Sequence, residues 1–229
     1  MPPAYVGYQS NGLDSGYSMI TPSFVNVGSA TTEMDIDKML VIEGATADSQ
    51  CYINVMDSKG KWIGMYFWML ESWVGSTYYP AGWCDASYNP SGITLKPGEA
   101  VYFYTDNSGL SVKSAGQVDG IALPLSAGYT MIGNGTAVEL DADKMVINGA
   151  TADSQCYINV MDAKGKWIGM YFWMLESWIG STYYPAGWCD ASYNPSGVIL
   201  DPGEAAYFYT EKEGLTMTIE SPLAETEME

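Results

Sequence analysis

The sequence lacks histidine and arginine altogether, and its nine basic residues are all lysines. Without an imidazole there is no His-centred acid/base relay, no Ser-His or Cys-His nucleophile and no His metal ligand. Without a guanidinium there is no bidentate fork for phosphates or base edges. The 27 acidic residues give a net charge of −18, and so acidic a chain is repelled by nucleic-acid phosphates and anionic membrane surfaces. We therefore expect no nucleic-acid partner.

Long hydrophobic runs are also missing. No uninterrupted apolar stretch approaches the roughly 18 to 20 residues that cross a bilayer, so we expect no membrane insertion. The first residues, Met1 to Ala4, have neither the basic start nor the apolar stretch of a signal peptide. The chain is therefore either cytosolic or a form whose leader has been removed. A composition of 47% hydrophobic and 14% aromatic residues is nonetheless typical of a folded protein.

An internal repeat organises the chain. The segment Gly44 to Gly92 recurs 105 residues later, at Gly149 to Gly197, with two differences, Ser58/Ala163 and Val74/Ile179. A period of about a hundred residues is that of a domain and far exceeds the roughly 20 to 50 residues of solenoid repeats. The sequence predicts an N-terminal extension (1–15), two β domains from an internal duplication (16–117 and 118–220) and an acidic C-terminal tail (221–229).

Short apolar segments separated by Gly, Pro, Asn and Asp predict strands. Cys51 to Met56 and Trp62 to Trp68 flank a Gly-containing turn, which is the pattern of a β-hairpin. Ile93 to Leu95 and Ala100 to Tyr104 flank a second turn in the same way. About seven such strands in each copy, and no convincing helix, predict an all-β protein made of two tandem antiparallel β-sandwich or barrel-like domains.

Two motifs resemble those of a β-rich module found in large, mostly uncharacterised secreted bacterial proteins. One is the opening Gly16-Tyr17-Ser18-Met19-Ile20-Thr21-Pro22, and the other is the late strand pattern at Leu95 to Tyr104 and Leu200 to Tyr209, with the string Ser114 to Val118 joining the copies. In the second copy Gly133 replaces the expected Pro, and the last strand ends in Thr218-Ile219-Glu220. The resemblance implies a secreted, non-catalytic module and no particular ligand.

Each copy contains two cysteines, 33 residues apart, at Cys51/Cys84 and Cys156/Cys189. They form no C-x-x-C pair, so a zinc or redox motif is not indicated. An even number repeated in each domain predicts one disulfide per domain, which places the protein outside the reducing cytosol. The alternatives are buried reduced thiols and pairing between copies or chains.

Three acids alternate along Glu33 to Asp37 and again along Glu139 to Asp143. Grouped carboxylates are ligands for calcium, so Asp35, Asp37, Asp141 and Asp143 are weak calcium candidates. The alternative is a solvated loop in which the acids keep a sheet edge soluble, and we expect no other cofactor.

The stretch from Trp62 to Trp83 is rich in aromatic residues: a strand from Trp62 is apolar on both faces, and the loop that follows it adds further rings. Strict alternation places Trp62, Gly64, Tyr66 and Trp68 on one face and Ile63, Met65, Phe67 and Met69 on the other. These rings either fill the core, form a protein interface, or stack on sugar rings, with a second copy adding avidity on a polymer. The candidate interface or ligand residues are Trp62, Tyr66, Trp68, Trp73, Tyr78, Tyr79 and Trp83, with Trp167, Tyr171, Trp173, Trp178, Tyr183, Tyr184 and Trp188 in the second copy.

Catalytic equipment is sparse. Glu71 and Asp85, repeated as Glu176 and Asp190, are the nearest match to a glycosidase carboxylate pair, but nothing in the sequence fixes their separation. We therefore expect no enzyme. The leading hypothesis is an extracellular or cell-surface structural protein that forms a homo-oligomer or polymer, such as a filament, because head-to-tail contacts between like domains generate fibres. The alternative is a carbohydrate-binding protein whose partner is a polysaccharide; accessible Trp73 and Trp178 side chains would favour it.

Overall fold

The computed structural model describes residues 6–25, 33–57, 60–161 and 166–223. It is all-β, as predicted, with 54% strand and 5% helix. The expectation of no helix was wrong at one place, a single turn at Ile36–Met39 whose first backbone amides are capped by the Asp35 side chain, which accepts a hydrogen bond from Asp37 N. No helix in the described parts of the chain is long and apolar enough to cross a membrane.

The described residues of the first half of the chain form twelve strands and one short helix. They are β1 (Val6–Leu13), β2 (Gly16–Ile20), β3 (Met34–Asp35), α1 (Ile36–Met39), β4 (Val41–Glu43), β5 (Cys51–Met56), β6 (Trp62–Met69), β7 (Ser72–Val74), β8 (Thr77–Tyr79), β9 (Gly82–Cys84), β10 (Thr94–Leu95), β11 (Val101–Thr105) and β12 (Leu110–Gln117).

In the second half, the part of the chain that the structure describes forms twelve strands and two 3-10 turns. They are β13 (Ile121–Leu125), β14 (Gly128–Gly133), β15 (Leu140–Asp141), a 3-10 turn (Ala142–Lys144), β16 (Val146–Asn148), a second 3-10 turn (Ala152–Ser154), β17 (Tyr157–Met161), β18 (Trp167–Met174), β19 (Ser177–Ile179), β20 (Thr182–Tyr184), β21 (Gly187–Cys189), β22 (Ile199–Leu200), β23 (Ala205–Thr210) and β24 (Leu215–Ile219).

Each half forms a sandwich-like unit from a five-stranded and a three-stranded antiparallel sheet. The strand orders are β2-β11-β5-β6-β9 and β1-β12-β4 in the first unit, and β14-β23-β17-β18-β21 and β13-β24-β16 in the second. β1 falls within the predicted N-terminal extension but pairs with β12 along its whole length, so residues 6–13 belong to the first unit. Residues 1–5, and residues 224–229 of the predicted tail, lie outside the described residues.

The core of each unit is built from alternating inward side chains. Along β5, Cys51, Ile53 and Val55 are buried while the residues between them are half-exposed, as a strand with one covered face requires. Trp83 is fully buried against Phe103, ring to edge, and its indole N–H donates to Leu40 O at 2.9 Å. Trp188 is buried in the same way in the second unit.

The two units meet through contacts that occur in matching pairs. Ile20 forms an isolated antiparallel bridge with Glu204, and Ile132 forms one with Glu99. These residues correspond to one another in the repeat. The pairing extends to hydrogen bonds: Thr21 N donates to Gly203 O at 2.9 Å, and Gly133 N donates to Gly98 O at 2.9 Å. The contact is therefore twofold in character and self-complementary, which closes on itself instead of propagating.

An apolar cluster fills this contact, which we call the twofold joint. Its buried members are Met19, Ala100, Met131 and Ala205. Tyr102 and Tyr207 pack against it from the two units with ring centroids 6.3 Å apart. Because both units contribute equivalent side chains, the joint is a shared small core between them.

Candidate functional site

The predicted disulfides are not formed: the four cysteines, all within described residues, are free thiols. The sheet register explains why this prediction was wrong. Tyr52, Phe67 and Cys84 are paired across β5, β6 and β9, so they share one face, whereas Cys51 precedes Tyr52 and faces the core. β6 also separates the two strands, and two strand spacings of about 4.8 Å exceed the roughly 7 Å that a disulfide spans between Cα atoms.

The candidate calcium carboxylates are used by the fold. Asp35 and Asp141 accept hydrogen bonds from the amides of Asp37 and Asp143, which start the short helical turns. The carboxylates of Asp37 and Asp143 each accept from the buried backbone N–H of Trp83 and Trp188, both at 2.6 Å. Their oxygens are thus aimed at separate amides. Among the described residues no group of three or more His, Cys, Asp or Glu could hold a metal ion.

A β-bulge changes which face of β6 carries Trp62. The register between β5 and β6 shifts between Val55 and Met56, so that Met56 pairs with Trp62 while Val55 pairs with Gly64. Ile63 is the extra residue. The strict alternation predicted from sequence therefore fails at this point, and Trp62 joins the outer face, where its ring lies 6.3 Å from that of Tyr102.

The outer face of each five-stranded sheet carries a line of rings, which we call the tyrosine row. In the first unit Tyr17 and Tyr104 have centroids 4.7 Å apart, Tyr104 and Tyr52 are stacked at 4.8 Å, and Tyr52 and Phe67 follow at 6.1 Å. The second unit repeats the row with Tyr129, Tyr209, Tyr157 and Phe172. The strand register places these side chains on one pleat row, so their alignment follows from antiparallel pairing.

Two members of the tyrosine rows, Tyr52 and Tyr157, are uncharged over the ordinary pH range. Tyr17 and Tyr52 share a hydrogen bond of 3.0 Å between their hydroxyls. Burial, assisted by this hydrogen bond, raises the pKa of Tyr52 to about 12, and the equivalent environment raises the pKa of Tyr157 to about 12. On a strongly acidic protein these two side chains therefore contribute neutral, aromatic surface.

The most exposed aromatic side chain among the described residues of the first unit, Trp73, lies on a small hairpin where the sequence predicts a loop. β7 and β8 extend the β6–β9 pair, and Gly75, with a φ of 64°, occupies the first central position of its two-residue turn, as a type II′ turn favours. Trp73 is paired directly with Tyr78. The signal for this hairpin was present in the sequence as Gly75-Ser76 between two short β-prone runs.

Three side chains of this hairpin form what we call the hairpin platform. Trp73 is 70% exposed, its ring centroid is 5.2 Å from that of Tyr78, and the planes are inclined by 48°. The Tyr78 hydroxyl donates to Glu71 Oε2 at 2.9 Å, and this hydrogen bond raises the pKa of Tyr78. The platform thus presents two rings and a carboxylate on one side of a hairpin.

The second unit repeats the hairpin platform with almost the same geometry. Trp178 is also 70% exposed, its ring lies 5.3 Å from that of Tyr183 at 50°, and the Tyr183 hydroxyl donates to Glu176 Oε2 at 3.2 Å. The chain therefore carries two equivalent candidate sites.

Another exposed ring is held in a strained conformation beside β9. Tyr88 has a φ of 65° and Tyr193 a φ of 65°, in the left-handed region that costs a residue with a Cβ about 1 kcal/mol or more. The Asp85 carboxylate fixes the loop by accepting from the backbone amides of Ser87 and Asn89. Hydrogen bonds from Asn89 lower the pKa of Asp85. Asp85 thus holds a loop in place. Glu71, the other residue of the candidate glycosidase pair, accepts a hydrogen bond from the Tyr78 hydroxyl.

The predicted aromatic residues fall into two groups. Trp83 and Trp188 are fully buried, Trp68 is 9% exposed and packs edge-on against Trp83, and Trp173 packs in the same way against Trp188. Tyr66 and Tyr171 border the cores. The exposed group, on hairpins and outer faces, comprises Trp62, Trp73, Tyr78, Tyr79, Trp167, Trp178 and Tyr183, with Tyr184 half-buried beside it. The stretch is therefore neither wholly core nor wholly surface.

Comparison of the chain with models of known protein families, with curated proteins and with solved structures found no match.

Proposed function

We propose that this protein is a non-catalytic carbohydrate-binding protein with two equivalent sites, the hairpin platforms. The observation that carries the proposal is the exposure of Trp73 and Trp178, each opposite a tyrosine ring and beside a carboxylate. Burying a large apolar side chain stabilises a fold by roughly 1.5 to 3 kcal/mol. A hairpin that leaves its tryptophan in water forgoes that gain, which is expected where the ring serves a partner.

The chemistry of the platform suits a sugar. The C–H edges of a pyranose ring are attracted to the electron-rich face of an aromatic ring, and its hydroxyls can donate to the Glu71 carboxylate or exchange hydrogen bonds with the Tyr78 hydroxyl. The hairpin continues directly from β6 and β9 of the five-stranded sheet, so the rings are held on a rigid element. Two sites in one chain increase the apparent affinity for an insoluble polymer.

Binding to a panel of insoluble polysaccharides tests the proposal. We expect Trp73→Ala and Trp178→Ala each to lower the apparent affinity at least about tenfold through lost avidity, and the double variant to lose binding. Tyr8→Ala is the matched control, because Tyr8 is a similarly exposed ring on β1, away from the hairpins. Unchanged binding of the double variant would contradict the proposal.

Self-assembly is the second candidate, and the outer sheet faces favour it. Ile63, Met65 and Phe67 are exposed in the first unit, and Ile168, Met170 and Phe172 in the second; contiguous apolar surface of this kind is typical of interfaces. The twofold joint is closed within the chain, so a homo-oligomer or filament would grow through these faces instead. Sedimentation and negative-stain microscopy test this: a monomer at all concentrations contradicts it.

We further propose an extracellular or cell-surface location. Because the four thiols are free, no disulfide supports this location. The proposal rests on two motifs that resemble those of secreted modules, Gly16 to Pro22 and Leu95 to Tyr104, and on polysaccharide as the proposed partner. Labelling of intact cells with an antibody to the protein tests it: signal only after permeabilisation contradicts it.

A further inference from the structure

The charge of the hairpin platform points to the kind of sugar that it selects. Glu71 is the one charged residue between Leu70 and Ala81, and Glu176 is the one charged residue between Leu175 and Ala186. Each platform therefore combines two ring faces with one negative charge and contains no lysine. The negative charge of the platform repels an acidic sugar.

We propose that the hairpin platforms select an amino sugar, whose protonated ammonium group is held by the carboxylate and the ring faces while the pyranose ring stacks on the tryptophan. This inference rests on the proposed carbohydrate-binding function. It adds that the ligand is cationic, a hexosamine polymer with free amino groups, and not a neutral or acidic polysaccharide.

The contacts of the carboxylate allow this role. A carboxylate has about four acceptor positions, and the hydrogen bond from Tyr78 at 2.9 Å uses one of them and fixes the group beside the rings. A charged N–H donor can use the others. In the second unit the same bond, from Tyr183 to Glu176, is 3.2 Å long.

The rings contribute to the same selectivity. An ammonium group over the face of Trp or Tyr is attracted by the ring quadrupole, with Trp the better partner. Trp73 and Tyr78, 5.2 Å apart and inclined at 48°, present two such faces to one group. Exposed cation–π contacts and exposed ion pairs are each weak, so we expect together about a tenfold preference for the charged sugar.

The charge of the whole molecule acts in the same direction. A net charge of −18 attracts a cationic polymer over several ångströms and repels polyuronates or sulfated glycans. This long-range attraction is not specific to the platforms, so the test must separate it from the local contact.

Three tetrasaccharides with the same β-1,4 backbone make that test: those of glucosamine, N-acetylglucosamine and glucose, which differ in the group at carbon 2. Affinities are measured by titration calorimetry with the full chain, at about pH 5.5, where the amino groups are charged, and about 0.15 M salt. We expect the glucosamine tetramer to bind about tenfold more tightly than the other two. In the double variant E71Q/E176Q the glucosamine tetramer should bind no more tightly than the glucose tetramer, so that the preference is lost.

The matched control is D48N/D153N, which removes two negative charges from exposed, equivalent positions outside the platforms. It should keep the preference. Equal affinity for the three sugars, a preference that survives E71Q/E176Q, or an equal loss in D48N/D153N overturns the amino-sugar inference while leaving carbohydrate binding intact. The inference is also overturned if tetralysine binds as tightly as the glucosamine tetramer and its binding depends on Trp73, since the sugar ring is then not needed. If no tetrasaccharide binds in a manner that W73A/W178A abolishes, the proposed function itself fails.

Discussion

Replacing Asp37 by alanine should destabilise the first unit by an amount that can be estimated from its contacts. The carboxylate accepts a 2.6 Å hydrogen bond from Trp83 N, and Trp83 is fully buried. Hydrogen bonds to charged groups contribute about 1.5 to 3 kcal/mol, and an amide left unpaired in a core costs a similar amount. Because water can enter where the side chain is removed, we expect Asp37→Ala to lower the free energy of unfolding by about 2 to 3 kcal/mol.

Asp37→Asn separates the hydrogen bond from the charge. The amide oxygen can still accept from Trp83 N, so the loss at acid pH should stay under about 1 kcal/mol. Burial raises the pKa of Asp37, against the opposing hydrogen bond from Trp83. A raised folded pKa means that the folded state holds the proton more tightly, so stability is complete below the ordinary pKa and declines as pH rises through the folded value. The free energy of unfolding of Asp37→Asn, relative to that of the parent protein, should therefore be higher at pH 7 than at acid pH.

Urea denaturation followed by tryptophan fluorescence measures both effects. Asp143→Ala repeats the experiment in the second unit, where the bond from Trp188 N is also 2.6 Å. Asp48→Ala removes an exposed acid and is the control. If Asp37→Ala costs no more than Asp48→Ala, the carboxylate does not hold the Trp83 strand and the reasoning is refuted.

Three further predictions follow from burial, charge and close packing. The chain should show four free thiols by mass spectrometry and the same melting temperature with and without reductant. Burial raises the pKa of both Cys51 and Cys84, but Cys84 is partly exposed and should react with a thiol reagent before the buried Cys51; a reductant-dependent melting temperature would contradict the free thiols. Burial also raises the pKa of Glu99 and Glu204, so the free energy of unfolding should fall as pH rises through the pKa values of these groups in the folded state. E99Q/E204Q should flatten the pH profile of urea unfolding, and an unchanged profile would contradict the raised pKa values. Gly203→Ala should lower the free energy of unfolding by about 1 to 3 kcal/mol in the same assay, because the φ of Gly203 is +84° and the new Cβ would lie 2.6 Å from Asn11 Nδ2. An unchanged free energy of unfolding would mean that the two units do not meet at this turn.

Much of the strand content could be predicted from sequence because it depends on local patterns. The hairpin from Cys51 to Trp68 is present, since alternation and a Gly-containing turn act within a few residues. The bulge at Ile63 was not predictable in this way, because it depends on how β6 pairs with β5 across the sheet. One extra residue moved Trp62 from the face that it was predicted to share with Trp68 to the outer face.

The cysteines and the carboxylates show the same limit. An even number of cysteines in each copy indicated a disulfide between Cys51 and Cys84. The strand order, however, places β6 between them, and strand order is not encoded in a short stretch of sequence. Asp37 similarly finds its partner, Trp83, 46 residues away. In contrast, the residue type and the neighbours of the exposed Trp73 predict it as a candidate, although the sequence predicts a loop where the structure has a hairpin.

The twofold joint bears on how a two-site protein would meet a polymer. A polysaccharide chain has a direction, from its non-reducing to its reducing end. Two sites related by a twofold axis are displaced from each other across that axis, so one straight chain cannot run through both in the same orientation. If the hairpin platforms bind sugar, the molecule would hold two separate polysaccharide chains together, and would not bind two stretches of one straight chain.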